Sequence, residues 1–119
     1  MDKLANQPIL SYTKYDSPMT EDQTEVYLKV LPDWKVVYRE GNPLLEKSYS
    51  FDDFLGAVKF ANEIADLSEE AHHHPDILIS WGKCTVSWWT FVYKRLHEND
   101  FIMAARTEML FQDKSRGQN

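Results

Sequence analysis

Apolar positions along this chain switch repeatedly between helical and strand spacing, and each switch falls at turn-forming residues. Thr20-Glu21-Asp22-Gln23 has the capping-box form, and Val26, Leu28 and Leu31 follow on a short helix that Pro32 ends. Trp34 to Arg39 alternates like a strand with a bulky apolar face. Gly41-Asn42-Pro43 predicts a turn, and Leu45, Tyr49 and Phe51 share one side of a second strand. Ser50 or a near neighbour can cap the longest helix, which runs to about Glu69. After it, Ile77, Ile79 and Trp81 alternate on a third strand, with a turn at Gly82-Lys83. A fourth strand from Cys84 to about Phe91 places Cys84, Val86 and Trp88 on one face and Thr85, Ser87, Trp89 and Phe91 on the other. A last helix starts near His97-Glu98-Asn99-Asp100 and buries Phe101, Ile102, Ala104, Ala105 and Leu110.

The predicted order is α-β-β-α-β-β-α. No strand–helix–parallel-strand series is present, so the expected class is α+β: one antiparallel sheet of about four strands, with about three helices on one face. The domain spans residues 20–111. Residues 1–19 are polar and turn-rich and read as an arm, and residues 112–119 read as a polar, frayed tail.

The long helix is apolar on two sides. Phe51, Phe54, Val58, Ala61 and Ala65 form one stripe, and Ala57, Phe60, Ile64 and Leu67 form another beside it. One stripe faces the sheet; the other predicts a homo-oligomer, a homodimer or homotetramer.

Composition narrows the function. The 119 residues suffice for one domain with a real core. Nineteen acids against thirteen bases give a net charge of -6, which argues against nucleic-acid binding. No apolar run approaches membrane-spanning length, no secretory pattern opens the chain, and the single Cys84 allows no intrachain disulfide. A cytoplasmic setting without membrane contact is expected.

The run Glu69-Glu70-Ala71-His72-His73-His74-Pro75 carries the candidate chemistry. Imidazole alone exchanges protons near neutral pH without a shifted pKa. Adjacent histidines diverge instead of converging as metal ligands on a helix do at i, i+3 or i, i+4, so no metal is expected. No GxSxG elbow or cysteine signature supports nucleophilic catalysis. Proton transfer beside a small-molecule pocket remains, together with a bland reading in which histidines merely favour a helix C-terminus.

An acid, three residues, then His-His-Pro; an aromatic after five more; a later aspartate: Glu69, His73-His74-Pro75, Trp81 and Asp100 stand at these places. With Trp34, Tyr49, Phe51 and the segment Leu96 to Phe101, this pattern resembles the pterin-4a-carbinolamine dehydratase family over about residues 20 to 110. The resemblance implies dehydration of a 4a-hydroxytetrahydropterin to the quinonoid dihydropterin, without metal or organic cofactor. It implies His73 and His74 as acid–base residues, Pro75, Thr90, Phe91, Val92 and Tyr93 as the pterin-binding wall, and Glu69, Trp81 and Asp100 in support. His72 acquires no role.

One position departs from the family. Its third histidine should follow Trp89-Thr90, where this chain has Phe91, and Lys94-Arg95 replaces a pair of small, turn-making residues. Phenylalanine exchanges no proton, so reduced activity is expected. His97, six residues on, is a conceivable substitute. The resemblance also implies an alternative, a non-catalytic binding or assembly factor, since relatives serve as a transcription cofactor and in RuBisCO assembly.

Overall fold

Two β-hairpins pair through their second strands into one antiparallel sheet. The computed structural model describes residues 1–10, 19–90 and 94–117, with side chains to residue 113. Strands β1 (Lys35–Arg39), β2 (Asn42–Ser50), β3 (Asp76–Ser80) and β4 (Lys83–Trp88) lie in the order β1-β2-β4-β3. Helices α2 (Glu21–Leu28), α3 (Phe54–Ala71) and α4 (Glu98–Gly117) complete the expected α-β-β-α-β-β-α series. The fold is the α+β architecture the periodicity predicts. A further short helix, α1 (Asp2–Ala5), lies within the segment that reads as an arm, and it buries Leu4 and Ala5 in the core cluster with residues of α4.

Strand parity sets the core. Leu45, Lys47 and Tyr49 of β2 stand opposite Trp88, Val86 and Cys84 of β4. Ile77 and Ile79 of β3 stand opposite Val86 and Cys84, which continues the same face. Onto it α3 brings Ala57, Phe60, Ala61 and Ile64, and α4 brings Phe101 to Ala105. Burial pushes the Cys84 thiol up to about 11, so it stays protonated at neutral pH, the state of a small packed hydrophobe.

Several boundaries move from their expected places, for local reasons. The α2 capping box forms as predicted, with Thr20 accepting from Gln23 N–H and Gln23 accepting from Thr20 N–H. The helix stops at Leu28, however, and Leu31 is buried beyond it. The first hairpin turns at Glu40-Gly41, both at positive φ (55° and 81°), the geometry of a type I′ turn. Asn42 and Pro43 therefore belong to β2. Pro43 is tolerated because it precedes Leu45, the first β2 residue paired with β4, and has only β1 beside it. The second hairpin turns at Trp81-Gly82, not Gly82-Lys83. Gly82 sits at φ 70° with its carbonyl accepting from Phe51 N–H, and a Cβ there would meet the Phe51 carbonyl oxygen at 3.0 Å. Asp53 caps α3 by accepting from Gly56 N–H at 2.7 Å, so Phe51 precedes the helix whose stripe it was expected to join. The strand β4 ends at Trp88, and α4 continues to Gly117 through much of the predicted tail.

The end of α3 directs the histidines. His73 N–H donates to the Ser68 carbonyl and His72 N–H to that of Glu69, the paired bonds of a Schellman motif. His72 occupies its left-handed position at φ 54°, where glycine is the usual residue. The reversal leaves His72 and His74 exposed and turns His73 inward.

Glu108 of α4 supplies a polar anchor. Its carboxylate accepts from Trp34 Nε1–H at 3.0 Å, from the Tyr49 hydroxyl and from the Lys47 ammonium, tying β2 and the chain before β1 to α4. Burial, then the hydrogen bond to Glu108, hold the Tyr49 hydroxyl far above the usual phenol range.

Two stability changes are expected in denaturant unfolding. Glu108→Ala leaves the Lys47 charge and two donors without their acceptor and should cost about 3–5 kcal/mol, with Glu108→Gln milder. His72→Gly relieves the left-handed strain and should raise stability by about 1 kcal/mol, the αL penalty less the entropy cost of a glycine.

Candidate active site

The first turn of α4 is closed by its own side chains. His97 precedes the helix, and its Nδ1 accepts from Asn99 N–H at 3.0 Å. Reciprocally, Asp100 Oδ2 accepts from His97 N–H at 2.9 Å. This resembles the capping box of Thr20 and Gln23, except that His97 accepts from the N–H two residues on, not three.

Asp100 does more than cap. Its Oδ2 also accepts from the Thr90 hydroxyl at 2.7 Å, and its Oδ1 lies 2.6 Å from His73 Nε2. Asp100 is fully buried, and a buried carboxylate is tolerable only when such donors replace water. The helix N-terminus adds favourable electrostatics. For the neutral ring, accepting from Nε2–H places the lone pair of His73 on Nδ1, the nitrogen able to receive a proton.

Packing sets the plane of the His73 ring. Its side chain is 6% exposed, and the ring lies against the Trp88 ring at a centroid distance of 5.8 Å and an interplanar angle of 7°. Trp88 is in turn fixed by its Nε1–H, which donates to Thr107 Oγ1 at 3.1 Å. Both coordinates of the imidazole, rotation and tilt, are thus determined from α4.

His74 has a different environment. Its Nε2 meets Glu69 Oε2, and the side chains are 60% and 77% exposed. Two successive histidines therefore each hold a carboxylate, one pair dry and one wet. Ion-pair attraction in the exposed pair is weakened by solvent. Among the described residues no group of three or more His, Cys, Asp or Glu side chains gathers as a metal ion would require.

The residues singled out from sequence divide accordingly. His73, Thr90 and Asp100 come together, His74 and Glu69 pair beside them, and Pro75 leads from the pair into β3. Trp81 does not join them. It is 74% exposed in the turn at the far end of β3, about 17 Å along the strand from Asp76. Phe91, Val92 and Tyr93 lie outside the described residues. His97, a candidate substitute for the missing histidine, has its Nδ1 engaged as a helix cap. Sequence reading missed that cap and the neighbouring Asn99. The signal available was the three-residue spacing of His97 and Asp100, the same as that of Thr20 and Gln23.

A groove of about 560 Å³ lies elsewhere, between α2, the first hairpin and residues 94–96. Thr20, Glu25, Val36, Tyr38, Lys94 and Arg95 are among its walls, and no histidine contributes. The imidazole–carboxylate pairs are not part of this groove's lining. Lys94 takes φ 52°, a left-handed position that explains why a small, turn-making residue would suit it.

Comparison with known proteins shows the family. The model of the family "Pterin 4 alpha carbinolamine dehydratase" matches residues 17–110. A protein of Microcystis aeruginosa, provisionally named pterin-4-alpha-carbinolamine dehydratase, is 42% identical over 115 residues, 97% of this chain and 99% of that one. One from Marinobacter nauticus, named in the same way, is 45% identical over 97 residues, covering 81% and 87%. Among solved structures, a transcriptional coactivator/pterin dehydratase from Brucella melitensis superposes with a TM-score of 0.71 at 26% identity, over 79% of this chain and 98% of that one. A pterin dehydratase-like RuBisCO assembly factor of the alpha-carboxysome gives 0.55 at 25% identity, over 66% and 88%. The chain belongs to the pterin 4 alpha carbinolamine dehydratase family.

Proposed function

We propose that this protein dehydrates a 4a-hydroxytetrahydropterin to the quinonoid dihydropterin and water. The observation that carries the reading is the buried His73–Asp100 pair beside the exposed His74–Glu69 pair. The reaction needs a base for a ring N–H and an acid for the departing hydroxyl, since hydroxide leaves poorly without protonation.

His73 is the base. Its Nδ1 takes the ring proton, and the Asp100 carboxylate at Nε2 stabilises the imidazolium that forms, as an aspartate does behind the histidine of a hydrolase triad. His74 is the acid. As the C4a–O bond breaks, its proton passes to the oxygen and water leaves, while the N–H bonding pair becomes part of the new C=N system. Solvent then returns the proton from His73 to His74. Pro75 restricts the backbone of the pair, and the family resemblance assigns Thr90, Phe91, Val92 and Tyr93 to pterin binding. Glu69 orients His74.

By family resemblance Phe91 stands where a third histidine would act, which removes one proton carrier. A positioned acid or base contributes about 10²–10⁴ in rate, so turnover is slow but above the spontaneous reaction.

Homo-oligomerisation belongs to the same proposal. The outer stripe of α3 leaves Phe54 about half exposed, Leu55 is 58% exposed beside it, and Trp81 and Leu78 project from the second hairpin. Light scattering at micromolar concentration should give a multiple of the 14.0 kDa chain mass, and a monomeric mass would contradict it.

The assay follows dehydration of freshly generated 4a-hydroxytetrahydropterin. Wild type should exceed the uncatalysed rate, His73→Ala and His74→Ala should each lose about 10²-fold or fall to background, and Phe91→His should gain. A wild-type rate equal to the spontaneous one, unmoved by these changes, would favour a non-catalytic binding or assembly role. The likeness to the RuBisCO assembly factor makes that role the competing reading.

A further inference from the structure

Asn99 is fully buried in the first turn of α4, between a histidine and an aspartate already placed in the candidate site. Its amide does something neither neighbour does. Oδ1 accepts from Leu10 N–H at 2.8 Å, and Nδ2 donates to the Leu10 carbonyl at 2.8 Å. Both main-chain groups of one residue are satisfied by one side chain, a match that only a primary amide makes. Seven residues along the same helix, Arg106 donates Nε–H to the Ala5 carbonyl at 3.1 Å and Nη2–H to that of Gln7 at 2.8 Å. With Leu4 and Ala5 buried in the core cluster, residues 1–10 form a strap fastened along α4. The family model matches from residue 17, after the strap, while the Microcystis relative aligns over 97% of the chain.

The strap meets the site at one peptide. Asn99 N–H is the group that His97 Nδ1 accepts, and the next residue is Asp100, whose carboxylate faces His73. A first helical turn usually frays because its amides lack internal partners. Here the amide of Asn99 is anchored on its side-chain end as well as its backbone.

We propose that Asn99 is a positioning residue: by gripping the Leu10 main chain it holds the first turn of α4, and with it the Asp100 carboxylate, within bonding distance of His73. The claim rests on the dehydratase reading for its kinetic consequence, while its geometric consequence is independent of any activity.

The test uses full-length Asn99→Ala and Asn99→Asp. The aspartate keeps an acceptor for Leu10 N–H but sets an oxygen against the Leu10 carbonyl. Imidazole ¹⁵N shifts of His73 report which nitrogen carries the proton in the neutral ring. Wild type should show Nε2–H, and both variants a mixture with Nδ1–H. Where activity is present, kcat should fall roughly 10–100-fold with KM little changed, the signature of a misplaced acid–base group. Arg106→Ala loosens the strap away from the site and should lower thermal stability while leaving the His73 tautomer as in wild type. If Asn99→Ala does not fold, Asn99→Ser, retaining one hydroxyl, takes its place with the same readouts. Asn99 variants that lose stability but keep the wild-type tautomer and kcat would overturn the proposal, as would an equal tautomer shift in Arg106→Ala. An inactive wild type with the expected tautomer shift would refute the dehydratase reading and leave the positioning claim standing.

Discussion

The Asp100 carboxylate is the interaction on which the candidate site depends. Three parts of the chain meet at it: the α3–β3 junction through His73, the chain just after β4 through Thr90, and the cap of α4 through His97 N–H. An unpaired carboxylate in the interior would cost several kcal/mol, so each donor secures the others as well as itself. Loss of one loosens a helix cap, the chain after β4 and an imidazole together. Such a centre gives the region one arrangement instead of several, because a half-satisfied buried network is worse than an apolar one.

The helix α4 distributes that constraint. Asp100, Thr107 and Glu108 all project from it: Asp100 meets His73, Thr107 takes the Trp88 indole, and Glu108 takes Trp34, Lys47 and Tyr49. Between these polar contacts run Phe101 to Ala105, fully buried against the sheet. Apolar burial drives α4 onto the sheet without choosing its register, whereas hydrogen bonds at both ends of the buried run select one. The stacking of His73 on Trp88 is a result of that register, since Trp88 is held by α4 at one edge and covered by the imidazole on its face.

Patterns governed by local spacing were legible in the sequence. The Thr20–Gln23 box, the Cys84-Val86-Trp88 face of β4 and the inner stripe of α3 follow from periods of two and 3.6 residues, and the structure has them. Turn positions were less legible, because Glu40 rather than Pro43 takes the special backbone geometry and a paired strand end absorbs the proline. The site was half visible. His73, His74, Glu69 and Asp100 could be named from a linear pattern, but the pattern does not say that His73 and Asp100 bond across twenty-seven positions while Glu69 takes His74. Asn99 and the strap were hidden because their recognition of main chain leaves no side-chain signature at Leu10. The exposure of Trp81 was hidden too: strand parity gives its face, not whether anything covers the hairpin end.

Adjacency is what makes the histidine run informative, and His72 is what makes adjacency useful. Consecutive residues on a helix would point about 100° apart and both remain on one solvent-facing side. A left-handed residue at His72 ends the helix by reversing the chain, so that His73 enters the core and His74 stays in water. General acid–base chemistry on a flat heterocycle benefits from that asymmetry. One imidazole needs a fixed tautomer and a carboxylate behind it, which burial supplies; the other needs rapid proton exchange with solvent, which exposure supplies. On the proposed reading a third histidine would add a proton carrier, but the contrast between a dry and a wet imidazole is already present in the pair. Under the proposed reading, Phe91 therefore subtracts rate without removing the mechanism, and the residue with no assigned chemistry, His72, shapes the pair that has it.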